Sequence, residues 1–202
     1  MPEDYLIRPM TLPEMDIAVA MAAGEGWNPG LDDAACFYRT DPGGFLIGLM
    51  DGRPVGCISA VSYARRFGFI GFYIVAEALR GCGLGIRLWR AAMERLEGQN
   101  TGLDGVVAQE RNYRRSGFHT AYRNTRFEGT VGTLGRKPDP RITALSPEHF
   151  DAVLAYDRQC FPADRAVFLR GWLESPSAQA LVFMDNGRLL GYGVIRRCRN
   201  GY

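Results

Sequence analysis

The sequence predicts an α/β (α+β) protein, a mixed sheet flanked by helices and followed by a partial second β-α-α-β-β unit. Three observations carry that expectation. Apolar strand-like runs and helical patterns alternate through residues 1–131. An aromatic strand pattern over 67–75 leads into the glycine-rich turn Arg80-Gly81-Cys82-Gly83-Leu84-Gly85 and then a helical pattern over 86–97. Beyond residue 140 the chain begins again.

The elements follow in order. Residues 5–8 read as a short strand. Thr11 is the expected N-cap of the first helix, with Glu14 at the spacing of a capping box. That helix carries Met15, Ala18, Val19 and Ala22 on one apolar face and ends near Gly24. Glu25-Gly26-Trp27-Asn28-Pro29-Gly30 is a loop, and a second helix over 31–39 stops before Asp41-Pro42. Residues 45–50 form a strand, Asp51-Gly52 a hairpin turn, and 55–62 the next strand. The third helix is expected to bury Ile86, Trp89, Met93 and Leu96, with Gly98 as its C-cap. A strand over 105–108, a helical turn over 112–116 and a strand over 119–127 complete the unit.

Residues 132–140, rich in Gly, Pro and charge, read as a linker. Past them Thr11 answers to Ser146, Asp16 to Asp151, Gly52 to Gly187, Arg53 to Arg188, Val55 to Leu190 and Gly56 to Gly191. The shift is constant, since 146 − 11, 187 − 52 and 191 − 56 all give 135. A cap, a hairpin turn and a strand displaced together indicate a repeated unit. The expected division is a first unit over 1–131, a linker over 132–140 and a partial second unit over 141–202. A counterpart of Arg80 would fall at 215 (80 + 135), past Tyr202, so one glycine turn is expected. The strand over 189–196 is then a bare edge, which a second copy in a homodimer could cover.

Composition narrows the function classes. A net charge of +2 is too small to argue for nucleic acid or an acidic membrane. No apolar run reaches the length of a membrane span, so a soluble, cytoplasmic protein is expected. Cys36, Cys57, Cys82, Cys160 and Cys198 are odd in number and lack C-x-x-C spacing, and His119 and His149 lie far apart. Neither a disulfide framework nor a metal site is expected. The strand, glycine turn and helix make an anion-binding arrangement, because free N–H groups and the helix dipole converge at the helix start.

Gly81, Gly83 and Gly85 do not fit G-x-G-x-x-G, and no Lys-Ser/Thr pair follows as in a P-loop. Arg80-x-x-Gly83-x-Gly85 matches the Arg/Gln-x-x-Gly-x-Gly/Ala signature of the GNAT N-acetyltransferase superfamily. Tyr113-Arg114-Arg115-Ser116-Gly117-Phe118 resembles the Tyr-x-x-x-Gly-Phe that closes its core. With the repeat, the chain resembles tandem-domain bacterial GNAT proteins, its second domain incomplete; the 25–30 loop with Phe37-Tyr38 resembles the first domain of such a subfamily. The resemblance implies the GNAT fold, with a mixed, mostly antiparallel central sheet. It also implies an acyl-CoA-dependent N-acyltransferase that moves acetyl from acetyl-CoA to a primary amine, on a small molecule or an amino terminus, by direct attack.

Residue roles follow from that resemblance. The backbones of Ile74 and Val75 would pair with the pantetheine arm, with the Val75 N–H on the thioester carbonyl. The backbone from Leu79 and Arg80 through Gly81, Cys82, Gly83, Leu84 and Gly85 would take the pyrophosphate, helped by the Arg80 side chain. Relatives often carry a basic residue where Cys82 stands, which would shift that role to Arg87 or Arg90. Tyr113 corresponds to the tyrosine beside the sulfur, where a phenol of pKa near 10 can protonate a leaving thiolate. A core tyrosine is the alternative. Asn112 would contact pantetheine, and Trp27 and Asn28 would border the acceptor. The strand over 67–75 holds no carboxylate, so either Tyr73, Glu25 or a water chain is left as general base, or the amine arrives deprotonated. Direct transfer needs no Cys82 nucleophile. A catalytically silent acyl-CoA-binding or regulatory module is the alternative function. A transferase using aminoacyl-tRNA is a third, against which the near-neutral charge speaks.

Overall fold

The computed structural model describes residues 4–130, 132, 137 and 139–202. Most of the expected linker, residues 133–136 and 138, lies outside the described residues. The first sheet has five strands in sequence order: β1 (Tyr5–Pro9), β2 (Phe45–Met50), β3 (Arg53–Tyr63), β4 (Phe67–Val75) and β5 (Asn100–Leu103). All neighbours are antiparallel except β4 and β5, which run parallel. Helices α1 (Met15–Gly24) and α2 (Asp33–Thr40) separate β1 from β2, α3 (Leu84–Arg95) separates β4 from β5, and α4 (Glu110–Arg115) follows.

The pleat of β2 explains the layers. Phe45, Ile47 and Leu49 join Met15, Ala18 and Ala22 of α1 in one core cluster. Leu46, one residue out of phase, joins Leu84, Leu88 and Ala92 of α3 in the other. Alternate side chains of one strand thus enter two cores, which is why β2 reads as a continuous apolar run. Among the described residues no helix is long and apolar enough to cross a membrane.

The structure shifts several sequence expectations. α3 begins at Leu84 and buries Leu84, Leu88, Trp89, Ala92 and Leu96, while Ile86 is 48% exposed. The i, i+4 series starting at Leu84 sets the phase, and Ile86 lies outside it. The strand expected over 105–108 is instead β5, because the chain reverses at Gly98 and pairs at once with β4, Phe67 against Asn100. Val107–Gln109 is a 3-10 turn. Residues 119–127 form no strand. Thr120 and Arg123 turn to Glu110 of α4, and Phe127 is 90% exposed. The second helix starts at Asp33, two residues later than expected, and the Leu31 N–H donates to the Arg197 carbonyl.

Only half of the capping box at Thr11 forms. The Thr11 N–H and hydroxyl both donate to Glu14 Oε2, at 2.8 and 3.0 Å, and the helix begins after Glu14. Arg8 donates twice to the same carboxylate, at 2.8 and 2.6 Å. Those Arg8 bonds, then the Thr11 N–H, pull the Glu14 carboxyl from 4.5 to about 2. A folded value below the unfolded one means stability present above pH 4.5 and lost as pH falls through about 2. Glu14→Gln should therefore lower stability at neutral pH, by no more than about 1 kcal/mol for so exposed a pair. The gap between the variant and the parent should close between pH 4.5 and about 2 in a calorimetric series.

The second unit comprises β6 (Ile142–Ala144), α5 (Phe150–Asp157), α6 (Ala166–Leu173), β7 (Ala178–Asp185) and β8 (Arg188–Arg196). Its sheet order, β6-β7-β8, repeats β1-β2-β3. The shift of 135 reappears in the register: Ile7 faces Gly48 and Ile142 faces Phe183 (142 − 7 and 183 − 48). Bulges fall at Gly48/Leu49 and at Phe183/Met184, again 135 apart (183 − 48). Both hairpin turns have two positive φ angles, 50° and 73° at Asp51-Gly52 and 49° and 77° at Asn186-Gly187. That geometry suits Asp-Gly and Asn-Gly pairs. Asp157, 1% exposed, accepts from Arg165 Nε and Nη2 at 2.8 and 2.7 Å and from the Tyr192 hydroxyl at 2.6 Å. This binds the end of α5 to β8.

Candidate active site

Parallel pairing of β5 with β4 ends at Ile70 against Leu103, so among the described residues the outer edge of β4 from Gly71 to Val75 has no strand beside it. The chain is irregular here. The register to β3 slips between Cys57 and Ser59, and Phe72 has φ 47°. A positive φ at an aromatic residue is strained and marks a bulge that re-aims the strand. Past the bulge, the Ala76 N–H donates to the Val55 carbonyl. Peptide groups alternate sides along a strand, so the Val75 N–H and C=O face the open edge and those of Ile74 face Cys57 on β3. Of the two residues expected to pair with pantetheine, the structure turns only Val75 outward.

The open edge leads to the start of α3. Gly83 takes the N-cap position with φ 83°, a left-handed conformation that suits glycine. A Cβ added at Gly81 or Gly83 would meet nothing within 4 Å, so the helix mouth is unobstructed. Leu84, whose backbone opens the helix, buries its side chain beneath. Gly85 is needed for a different reason, since a Cβ there would stand 2.8 Å from the Tyr73 hydroxyl. Cys82 is exposed in this turn. The Arg80 side chain is not free for phosphate: Nε donates to the Val75 carbonyl at 2.9 Å and Nη2 pairs with Glu25. It ties the end of α1 to the end of β4. Arg87 is likewise engaged, on the Tyr5 carbonyl at 2.9 Å.

Trp89 of α3 organises the phenols. Tyr73 and Tyr113 lie on it at ring distances of 5.5 and 5.8 Å. Burial raises the pKa of both, and proximity of Tyr113 adds to the effect at Tyr73. Both are protonated at neutral pH, which suits a proton donor. Among the described residues the Tyr113 hydroxyl has no hydrogen-bond partner. Asn112 is exposed, and its amide donates to Gln109 Oε1 at 2.6 Å. Burial pushes the thiols of Cys36 and Cys57 to about 11 and about 12, so neither is a thiolate at neutral pH.

Trp27, expected to border the acceptor, meets Phe72 edge-on at 6.4 Å. Asn28 is not a free ligand. Its Nδ2 donates to the Asn200 carbonyl at 2.6 Å, and its Oδ1 accepts from the Asn200 N–H at 3.0 Å. The structure thus brings together Val75, the glycine turn, Tyr73 and Tyr113 around α3, and places Trp27 across β4. The Phe72 bulge and the Arg80–Glu25 pair carry no local sequence signal. A depression of about 470 Å³ lined by Tyr5, Leu49 and Asp51 lies at the far edge of the sheet and holds none of these residues.

An open strand edge leading into an unobstructed helix start is a fitting cradle for an extended ligand ending in a diphosphate. Comparisons agree. The acetyltransferase (GNAT) family model matches residues 12–125, and a second acetyltransferase (GNAT) domain model matches residues 153–202. The chain is 32% identical over 200 residues to holothin acyltransferase of Pseudoalteromonas sp. (strain SANK 73390), covering 99% of this chain and 68% of the relative. It is 25% identical over 148 residues to the uncharacterized N-acetyltransferase YitH of Bacillus subtilis (strain 168), covering 72% of this chain and 52% of that protein. In fold it is similar to a candidate acetyltransferase from Pyrococcus horikoshii, with a TM-score of 0.73 and 18% identity, over 96% of this chain and 69% of that one. By its motifs, its fold and its relatives, this chain belongs to the GNAT acetyltransferase family and is a transferase.

Proposed function

We propose that the chain is an acyl-CoA-dependent N-acyltransferase, taking acetyl from acetyl-CoA and delivering it to a primary amine by direct attack. The observation that carries this reading is the open edge of β4 at Val75 leading into the unobstructed mouth of α3. The donor supplies an activated thioester. The Val75 N–H would hold the carbonyl oxygen as charge gathers on it. The backbone of 81–85 would hold the diphosphate. Tyr113 would give its proton to the departing sulfur, and the proton shed by the attacking amine nitrogen would pass through water to restore the phenol; the bulge at Phe72, with Trp27, would form the acceptor wall. Holothin, the compound in the relative's name, is the first acceptor to try.

A specific observation favours a second reading, an acyl-CoA-binding or regulatory module. Glu25, the carboxylate at the end of the cleft, is bound to Arg80. One experiment separates the two. Acetyl-CoA is offered with a panel of amines that includes holothin, while binding is followed by calorimetry and product by mass spectrometry. Acylated amine together with stoichiometric free CoA is the expected result. Tight binding with no product would establish the module, and absence of binding would overturn both.

A further inference from the structure

The two units meet through α2 and α6, and the residues in contact there are one another's counterparts. Phe37 stacks on Trp172 with centroids 6.1 Å apart and planes 12° apart, and 172 − 37 is 135. A Cβ added at Gly171 would lie 3.3 Å from Cys36 Sγ, and 171 − 36 is again 135. Equivalent residues touch each other only on a two-fold axis. Off the axis, contacts should come in exchanged pairs, and they do. Gly30 bridges Cys198, and the exchanged pair, Arg165 and Tyr63 (30 + 135 and 198 − 135), meets on one ring: the Arg165 guanidinium lies 4.2 Å from the Phe161 centroid and Tyr63 packs on the same ring at 5.0 Å. Within one chain, the units are joined as two subunits of a dimer would be.

The two exchanged contacts differ in chemistry. The second unit's loop is apolar at this surface, with Phe161 packed edge-on against Tyr63 and Phe67 at 5.0 and 5.3 Å. The first unit's loop is strapped by polar groups. Asp33, 4% exposed, accepts from Arg196 Nε and Nη2 at 2.8 and 3.0 Å. Asp32 accepts from the Ser175 hydroxyl at 2.8 Å and the Ser177 N–H at 2.9 Å. Asn28 holds both backbone groups of Asn200. A row of rings continues the buttress, from Trp172 to Phe37, then to Phe72 at 5.9 Å, and from there to Trp27. The polar straps and the row of rings end on residues 27–33 and on Phe72, whereas Phe161 packs at the other end of the β3–β4 hairpin. Among the described residues, no hydrogen bond or ring contact joins Gly81, Gly83 or Tyr113 to the second unit.

We propose that the second unit serves as a built-in dimer partner that shapes the acceptor wall, with Arg196 as the positioning residue that fixes loop 27–33 through Asp33. The assignment rests on the reading of the cleft given under Proposed function. It separates the two substrates: loosening the strap disturbs the acceptor and leaves the donor alone.

The test compares Arg196→Ala and Arg196→Lys with the parent protein in three measurements. Amide hydrogen exchange over 25–33 should speed up about tenfold in Arg196→Ala, with no change over 84–95. Calorimetric affinity for coenzyme A should stay within about twofold. With acetyl-CoA and holothin, the KM for holothin should rise about fivefold while kcat stays within about twofold, and Arg196→Lys should recover part of the loss. Unchanged exchange over 25–33 would overturn the proposal, as would parallel losses of donor affinity and acceptor KM. If Arg196→Ala does not fold, Ser175→Ala, which removes only a hydroxyl from Asp32, is measured in the same way. Exchange needs no turnover. A parent protein that ignores holothin, or fails to bind coenzyme A, therefore refutes the acceptor or donor reading while exchange still decides the strap.

Discussion

Gly83→Asp should weaken coenzyme A binding by about 100-fold or more while the protein stays folded. Gly83 caps α3 with φ 83° and its missing side chain would point into open space, so no packing is lost on substitution. Aspartate is among the few residues that tolerate this backbone region, at a cost of about 1–2 kcal/mol. Its carboxylate, however, would occupy the point where the free N–H groups of 83–86 and the helix dipole converge. Charges about 4 Å apart at a half-exposed site repel by about 4 kcal/mol, which is more than the 100-fold loss requires. Gly83→Asn separates the causes, because it pays the same backbone cost without charge and should lose about tenfold or less. Salt is the second discriminator. The excess penalty of Asp over Asn should shrink as ionic strength rises, since the site is open to solvent and screening reaches it. Calorimetry of both variants with coenzyme A, at low and high salt, decides the matter. Equal, small losses for Asp and Asn would mean that the diphosphate does not lie at the mouth of α3.

The reach of the sequence depended on how locally each feature is encoded. β2 and β4 were legible to the residue because each is an apolar run bounded by turn residues, and the run itself reports burial on both faces. The 135-residue shift was legible from six pairs, and it extends through register, bulges and turns because one backbone plan underlies both units. β5 was missed because Asn100-Thr101-Gly102-Leu103 has almost no apolar content; it is a strand by virtue of pairing with Phe67–Ile70. The stretch over 119–127 shows the opposite failure, strand-like composition with its polar groups drawn to Glu110. At the site, the glycine turn and its setting were readable. The engagement of Arg80 with Glu25 and of Arg196 with Asp33 was not, because a charge in sequence carries no address for its partner 55 or 163 residues away. The repeat did hold that information in one place. Phe37 and Trp172 stand at the same shift, and two large aromatic residues at equivalent helix positions are what a quasi-two-fold contact requires.

Tyr113→Phe should lower kcat by about 100-fold or more and leave the affinity for coenzyme A within about twofold. Phenylalanine keeps the ring, so the stack on Trp89 and the packing near Phe118 survive and only the hydroxyl is lost. The direction of the pKa keeps the donor loaded. Burial raises the phenol above its ordinary 10, so it holds its proton at the pH where the amine is delivered, and the transfer to sulfur draws on the charge that builds on the leaving thiolate. A proton donor with a raised pKa also predicts the shape of the pH profile. Parent kcat should hold through neutral pH and fall only above the ordinary phenol range, and the variant should lack that alkaline limb. The neighbouring phenol is the necessary control. Tyr73 also packs on Trp89, with its hydroxyl at the first turn of α3, and its pKa is raised by the same cause. If Tyr73→Phe removes the limb and Tyr113→Phe does not, the proton comes from β4 rather than α4, and the roles assigned to the two phenols exchange. If both variants keep parent kcat, the leaving sulfur needs no phenol at all, and solvent must protonate it. If Tyr113→Phe loses kcat and donor affinity together, the hydroxyl binds the donor in its ground state and does not act on the leaving group.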